Sequence, residues 1–566
     1  MFAEVQTLNT PEVEFSVLLP MLIMMGGALL LLVAGSFLPR RSAVPWNPLA
    51  GWIIGIVAAV HPLLAWLSDV SWHRIDAVLA VVAVLFLGLA VSCRQPTRVS
   101  WHAPAAILIA SASISSSVVL WFRVRDDGPI RAVGDAVRID GLTVFLAIVI
   151  ATSVIITALL SEGYLRRERL EGSEAYVLVL LSASGGIIMA SANDLMVLFL
   201  GLEILSIAVY VLAGIHIRRV RSGEAALKYF VLGAFSSGFL LYGISLVYGA
   251  TGSTNITQIQ SFLATNILTN DIGLLAGFAM LLVGLGFKVS AAPFHAWAPD
   301  VYDGSPSPVV AFMASAVKTA GFAGLIRVFV QGFGIYHVDW QPIVYAMALL
   351  TMIVGSVIAV SQTNVKRMLA YSSISHAGFV LMGIQAASDR GVEAAIFYLA
   401  TYSLTVAGSF GVATVIGRTG DNAHDLSEYR GLSKRAPLMA FAFFVFLMAQ
   451  AGVPLTAGFV AKFTVLGAAV EARSYWLALG GMLTSVISAF VYLKIVLAMY
   501  GEPSAEDATR SYDVPVGAKL AVGLALVSTL GFGIYPKPLI DASRTAVVSM
   551  VDQSEPTPGV LSVPDP

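Results

Sequence analysis

The chain has 566 residues, of which 57% are hydrophobic and only 12% charged, with a mean hydropathy of +0.83. That composition belongs to polytopic membrane proteins and excludes an ordinary water-soluble globule. A net charge of −1 points to no partner, and the single cysteine, Cys93, excludes an internal disulfide and any cysteine-ligated zinc or iron–sulfur cluster.

The first apolar stretch, residues 15–38, is long enough to cross roughly 30 Å of hydrocarbon. Its N-flank carries Glu4, Glu12 and Glu14 rather than the basic residues of a secretory signal. Similar stretches recur to near residue 536, giving about 16 predicted spans. They centre near residues 27, 58, 84, 113, 149, 183, 203, 236, 282, 319, 351, 377, 404, 455, 488 and 526. No Gly-rich phosphate loop joins a strand to a helix, so redox chemistry is expected in other chains. Residues 1–545 read as one transmembrane domain, and 546–566, rich in Ser, Pro and Asp, as a flexible tail.

Basic residues set the orientation. If the first loop faces the cytoplasm, alternate loops carry Arg40 and Arg41; Arg94 and Arg98; Arg166, Arg167 and Arg169; Arg218, Arg219 and Arg221; Lys366 and Arg367; and Arg418, Arg430, Lys434 and Arg435. Both termini then lie on the outer face.

Two spans contain helix breakers. GLGFKVSAAPFHAWAPDVYDGSPSPVVAF holds Pro293, Pro299, Pro306 and Pro308, and FLMAQAGVPLTAGFVAKFTVLGAAV holds Gly452, Pro454 and Gly458. Proline in a span frees backbone groups that then need polar partners. Broken helices in corresponding halves mark ion paths, although such kinks also serve packing alone. Each break lies close to a lysine, Lys288 or Lys462.

Glu203, Lys228, Lys288, Lys318 and Lys462 all fall inside apolar spans. At the bilayer centre a charge costs roughly 2.5–3.5 kcal/mol even on the lenient insertion scale. These groups must therefore pair, face water or exchange protons, which is the chemistry of a proton or ion path. Glu203 is mid-span, and Lys228, the nearest cation in sequence, is its expected partner. Lys228 sits only about 10 Å into its helix, so it could also snorkel to the surface. Lys288 is read as the loading site, governed by opening and closing of the Glu203–Lys228 pair. Lys318 receives its proton and Lys462 serves the output side. His295, seven residues after Lys288, is a relay candidate with a carbonyl-bonded role as the alternative, and His376 is a candidate for a relay or a structural partner. Lys494, Arg327 and Asp194 lie near span ends and are expected to be interfacial anchors; His61 and Glu393 are left unassigned.

The strings GLEILSIAVYVLAG, GFKVSAAPFHAWAPDVYDGSPSPVVAF, SAVKTAGFAGLIRVF, NVKRMLAYSSISHAGF and GVPLTAGFVAKF closely resemble the antiporter-like subunits of respiratory complex I. The PDVYDGSPSPV string, with lysine at 462, resembles subunit N, the mitochondrial subunit 2 type. The likeness covers roughly residues 130–500 plus the first two spans.

This resemblance implies an all-α polytopic fold of two inverted five-helix repeats with broken helices plus peripheral helices, about 14–16 spans in all. It places N-terminal peripheral helices at 15–135, the first half-channel repeat at 138–335, the second at 341–500 and a final helix at 515–536. Glu203 and Lys228 match the family's Glu–Lys pair, Lys288 its central lysine, His295 and Lys318 the connecting residues, and Lys462 the terminal lysine. It further implies proton translocation driven by quinone reduction elsewhere. NADH, FMN, iron–sulfur clusters and quinone would be held by partner subunits, with no cofactor or metal in this chain. The expected partners are the other membrane and peripheral subunits of complex I and membrane lipid, not nucleic acid, in a bacterial inner membrane. An extra apolar pair, near 75–92 and 105–122, departs from the family pattern and is read as peripheral.

A subunit of a multisubunit Na⁺/H⁺ antiporter or membrane-bound hydrogenase is the first alternative, which PDVYDGSP disfavours. Subunit L is disfavoured because little chain follows the last span. A scaffold that has lost transport conflicts with the intact set of five buried ionisable residues.

Overall fold

A computed structural model describes residues 13–37, 101–502 except 267, 269 and 270, and 512–550. The predicted spans near 58 and 84, His61 and Cys93 lie outside the described residues. Within them the protein is a multi-pass helical membrane protein. Eleven helices have the length and apolarity to cross a bilayer, and the apolar helices Ile272–Lys288 and Pro437–Ala451 are shorter because each is half of an interrupted element.

In chain order the helices are α1 (Leu19–Phe37), α2 (His102–Asp127), α3 (Gly141–Glu168), α4 (Glu174–Ser191), α5 (Leu195–Ala213) and α6 (Val220–Thr251). Next come the short α7 (Ile256–Thr265), then α8 (Ile272–Lys288), α9 (Trp297–Gly304) and α10 (Ser307–Gly332). The second half holds α11 (His337–Ser361), α12 (Val365–Gln385), α13 (Asp389–Ile416), α14 (Pro437–Ala451), α15 (Ala457–Glu471) and α16 (Tyr475–Tyr500). Finally α17 (Val516–Ile534) precedes α18 (Lys537–Val548). A two-stranded antiparallel ribbon, Ile130–Ala132 with Val137–Ile139, lies between α2 and α3.

Two matching backbone latches expose the internal duplication. Before α5, Leu195 N donates to Thr254 O and Ile256 N to Asn193 O. Before α12, Val365 N donates to His424 O and Leu426 N to Thr363 O, the same pattern. In both, the segment leading into the repeat's second helix is tied to the segment leaving its third. The side chains of Asp194 and Asn364 then cap α5 and α12 by accepting from free first-turn amides. The repeats are therefore α4 to α10 and α11 to α16, with α8/α9 and α14/α15 as the interrupted fourth elements. Five crossings is an odd number, so the second repeat enters from the face opposite to the first and the two are inverted. The first repeat begins at α4 rather than at residue 138, because α3 precedes the latched unit.

The N-terminal helices pack as a group. α2 sits against α1, α3 and α4, so the second member of the expected extra pair is built into this layer. At the other end, α18 runs to Val548, past residue 545 where a loose tail was expected. It is held because Arg138 Nη2 donates to Met550 O at 2.5 Å and Gly141 N to Ser549 Oγ at 3.0 Å.

Candidate functional site: a buried line of lysines

Lys288, Lys318 and Lys462 are all buried, at 3%, 3% and 6% exposure. Each stands where a helix departs from regular geometry. Lys288 is the last residue of α8, where the chain breaks before α9. The backbone groups freed by this break are satisfied by side chains. Trp297 Nε1 donates to Phe287 O at 3.0 Å, and Ala292 N donates to Thr351 Oγ1 at 2.9 Å. Lys288 Nζ donates to Ser206 Oγ of α5 at 2.7 Å and lies over the rings of Tyr210 and Tyr229 at 5.9 and 5.7 Å. A small cavity lined by Ser206, Tyr210, Ser236, Ser237 and Lys288 adjoins the amine, with room for about one water.

Glu203 stands one helical turn before Ser206, the hydrogen-bond partner of Lys288. Its Oε1 is buried and has no hydrogen-bond partner. The expected Glu203–Lys228 pair is absent. Lys228 Nζ instead reaches Asp300 Oδ2 of α9 at 2.9 Å and Glu224 Oε1 at 2.7 Å, with its side chain 42% exposed. Helix register is the reason. A Cβ on Gly214 would meet the Cβ of Ala226, so those two residues share one level of the antiparallel α5–α6 pair. Glu203 is then eleven residues below that level and Lys228 only two, a separation of roughly 13–14 Å along the axes, and both side chains tilt toward their helix N-termini, away from each other. No rotamer spans that distance. Glu203 therefore belongs with Lys288, and Lys228→Ala should leave pumping in reconstituted vesicles nearly unchanged; a loss as deep as that of a buried lysine would contradict this placement.

Lys318 follows a π-helical turn, Met313–Val317, and a second one, Ile326–Gly332, ends the same span. Such turns recur at functional sites because they widen the helix and re-aim side chains. Lys318 Nζ donates to Ser373 O at 2.7 Å and Ser373 Oγ at 2.6 Å, on α12. Gly321, on nearly the same face, leaves space against the stem of Lys288, whose Cγ would be 3.3 Å from an added Cβ. Lys318 thus stands between the repeats.

One turn beyond Ser373, His376 is buried between two phenols, with Nδ1 2.6 Å from Tyr398 Oη and Nε2 3.2 Å from Tyr492 Oη. Tyr492 Oη lies 2.5 Å from Ser372 Oγ, which donates to Gln450 Oε1 at 3.0 Å. Along α12, Lys318 meets Ser373 and Lys462 lies over Phe379, so His376 stands between the points where the two amines touch this helix. Lys462 itself donates to Ala451 O, a carbonyl freed by the second break, at 3.1 Å, and to Ser485 Oγ at 3.3 Å. Its amine is also 5.0 Å from the Phe379 ring. The break depends on Gly452 at φ +90° and on Gly458, where any Cβ would collide with Ala449 O. Gly458→Ala should therefore force α14 and α15 apart and lower yield of the assembled protein on a native gel; normal yield and melting would show that the break can widen freely.

His295 lies half-buried in the α8–α9 turn, with Nδ1 lacking a partner. Of the three expected interfacial anchors, Arg327 turns out otherwise. Arg327 is fully buried and forms a bidentate pair with Asp140, Nη1 to Oδ2 and Nη2 to Oδ1 both at 2.6 Å, while Nε donates to Ala190 O at 2.9 Å. Arg327 was misread because the β-ribbon folds Asp140 in over the end of α10. Asp194 is the cap of α5 and accepts from Thr254 Oγ1 at 2.6 Å. Lys494 donates to the terminal α11 carbonyls Val360 O and Gln362 O at 3.5 and 3.0 Å, and Glu393 meets Arg544 at 3.6 Å.

Sequence reading missed Asp421. This carboxylate is fully buried in the α13–α14 loop and takes Ser307 N and Oγ at the start of α10, Lys366 Nζ at 3.2 Å and His424 Nε2 at 2.8 Å. Among the described residues no three His, Cys, Asp or Glu side chains converge as a metal site.

Two inverted repeats, each interrupted in its fourth element and joined by a buried row of amines, define an antiporter-like membrane subunit. Residues 192–488 match the family described as NADH:quinone oxidoreductase/Mrp antiporter, TM, and the chain belongs to that family. A relative from Herpetosiphon aurantiacus, NADH-quinone oxidoreductase subunit N 1, is 42% identical over 427 residues, 74% of this chain and 87% of its own. The subunit N of Mycobacterium tuberculosis is 38% identical over 551 residues, 95% and 99% of the two chains, so the likeness extends through the N-terminal region. Among solved structures, a chain of respiratory complex I from Thermus thermophilus superposes with a TM-score of 0.70 at 29% identity, covering 93% of this chain and 99% of that one. A chain of the Mrp complex from Dietzia sp. shares the fold at a TM-score of 0.71 and 22% identity, covering 80% and 93%.

Proposed function

We propose that this chain is the subunit-N-type proton-translocating membrane subunit of a bacterial NADH:quinone oxidoreductase. Electron transfer from NADH to quinone in partner subunits drives protons along Lys288, Lys318, His376 and Lys462. Three membrane-buried amines on hydroxyl and carbonyl partners, one in each broken element and one at the seam between repeats, carry this reading. Relatives that are subunit N over nearly their whole length support it.

Each lysine has a ground for releasing a proton. An amine, unlike a guanidinium, can give up its proton inside a protein. Glu203 beside Lys288 favours the loaded state, so movement of the carboxylate changes how tightly the proton is held. The step to Lys318 crosses the gap left by Gly321. From Ser373 the path continues through His376, whose imidazole can accept on one nitrogen and donate on the other. Lys462, after the second break, is the release residue. His295 stands near the intake side of Lys288. The energy scale fits, since moving one proton against each 100 mV takes about 2.3 kcal/mol.

In this reading the cofactors belong to other subunits, and the basic loops support an orientation with both termini on the outer face of a bacterial inner membrane. The test is purification with neighbouring subunits followed by NADH-driven acidification of proteoliposomes with and without Na⁺. Proton uptake independent of Na⁺ is expected. Uptake that needs Na⁺, with no NADH oxidation, would reassign the chain to an Na⁺/H⁺ antiporter.

A further inference from the structure

The polar groups beside His376 form one hydrogen-bonded chain whose donors and acceptors can be assigned by counting hydrogens. All of its side chains are buried, so each hydrogen must be met inside the protein. The chain starts at a group that can only accept. Ser409 Oγ on α13 donates to the backbone carbonyl of Thr405 at 3.0 Å, which uses its single hydrogen. Toward Gln450 of α14 that hydroxyl can then only accept, so the amide turns Nε2 to Ser409 at 2.8 Å and Oε1 to the opposite side. There Oε1 accepts from Ser372 of α12 at 3.0 Å. With the Ser372 hydrogen also used, the 2.5 Å contact between Ser372 and Tyr492 of α16 is made by the phenol's own hydrogen. Tyr492 Oη is left to accept from His376 Nε2 at 3.2 Å. The imidazole thus carries its hydrogen on Nε2 and leaves Nδ1 bare.

The far end gives the same answer without reference to Gln450. Tyr398 Oη lies 2.6 Å from His376 Nδ1 and has no other hydrogen-bond partner among the described residues. With Nδ1 bare, the phenol donates to it and every hydrogen is placed. With a hydrogen on Nδ1, the buried phenol hydrogen would have no acceptor, which low-dielectric surroundings make costly.

Turning the Gln450 amide over would reverse every link. Oε1 would draw the Ser409 hydrogen away from the Thr405 carbonyl, Nε2 would donate to Ser372, Ser372 to Tyr492, and Tyr492 to His376 Nε2. The imidazole hydrogen would then sit on Nδ1. A neutral ring takes a proton only on its bare nitrogen, so the amide's orientation selects the side from which His376 can be loaded. Gln450 also stands at the second break. The next residue is Ala451, whose carbonyl holds Lys462 Nζ at 3.1 Å. Two consecutive residues at the end of α14 thus serve the last two members of the line.

We infer that Gln450 is a positioning residue: anchored by Ser409, it fixes the Nε2–H tautomer of His376 through Ser372 and Tyr492 and keeps Nδ1 open to the incoming proton. The inference rests on the pump reading above, in which His376 stands between Lys318 and Lys462.

The experiment uses the whole complex in proteoliposomes with Gln450→Met, which keeps the length but loses the amide, and with the equal-sized pair Ser409→Val and Ser409→Thr. Initial pumping should fall about three- to tenfold in Gln450→Met and Ser409→Val, less than the usual 10²–10⁴ of a group that itself transfers the proton. Ser409→Thr, which keeps the hydroxyl, should pump near the native rate. Nitrogen NMR of complex labelled in its histidine rings should show a bare Nδ1 and a protonated Nε2 for His376, its signals being those lost in His376→Phe. Gln450→Met and Ser409→Val should show mixed tautomers. Either site carries the test should variants of the other assemble poorly on a native gel. A hydrogen on Nδ1 in the native protein, an unchanged tautomer in Gln450→Met and Ser409→Val, or equal pumping in Ser409→Val and Ser409→Thr would overturn the assignment. His376→Phe separates the two readings. If it pumps normally, His376 is off the path and the pump reading loses that step; if it alone loses pumping, with Gln450→Met and Ser409→Val unaffected, the pump reading stands and the role of Gln450 fails.

Discussion

Lys288→Ala should lower proton pumping and the coupled NADH:quinone reductase rate by at least about tenfold, within the range by which positioned proton-transfer groups contribute. The alanine removes the amine on Ser206 and leaves the buried Oε1 of half-buried Glu203 without a nearby cation. Lys288→Arg sharpens the test. A guanidinium keeps the charge beside Glu203 but cannot give up its proton in a protein. The arginine variant should therefore assemble normally yet pump no better than the alanine variant. Pumping restored by arginine, measured as vesicle acidification per NADH, would mean that position 288 supplies fixed charge rather than an exchangeable proton.

Arg327→Ala should be the most damaging change to the fold. It leaves the Asp140 carboxylate buried and unpaired at the start of α3, at a cost of about 3–5 kcal/mol. Loss of assembled complex on a native gel and a lowered melting temperature are expected, with Arg327→Lys intermediate because one ammonium cannot replace the bidentate contact. Burial would raise the Asp140 carboxyl, but Arg327 outweighs it and holds it below its ordinary value. Its contribution to stability is thus present above the ordinary carboxylate range and lost as pH falls through the depressed value. Arg327→Ala should flatten that acid limb of the melting curve; an unchanged limb would assign it to other carboxylates.

Much of the architecture was legible because a bilayer restricts the chain to helices long and apolar enough to span it. The breaks at Pro293 and Gly452 and the depth of Lys288, Lys318 and Lys462 follow from the same rule. Pairing was less legible. Lys228 was matched to Glu203 by closeness in sequence and by the resemblance, but the Gly214–Ala226 register of α5 against α6 puts them on different levels. Arg327 looked like an anchor because its partner lies 187 residues away, delivered by a ribbon with no apolar signature. Asp421 and His424 were invisible for a related reason. A polar loop reads as solvated until packing shows that both repeats close over it.

The two polar fastenings of α10 have a mechanical consequence. One end is bolted by Asp421 to the loop beyond α13, the other by Arg327 to the head of α3. A rod fixed at both ends cannot rock between inward-facing and outward-facing postures, as the moving bundle of an alternating-access carrier does. In the pump proposed above, protons would then cross by hops along a standing scaffold, with short side-chain swings as the travelling parts.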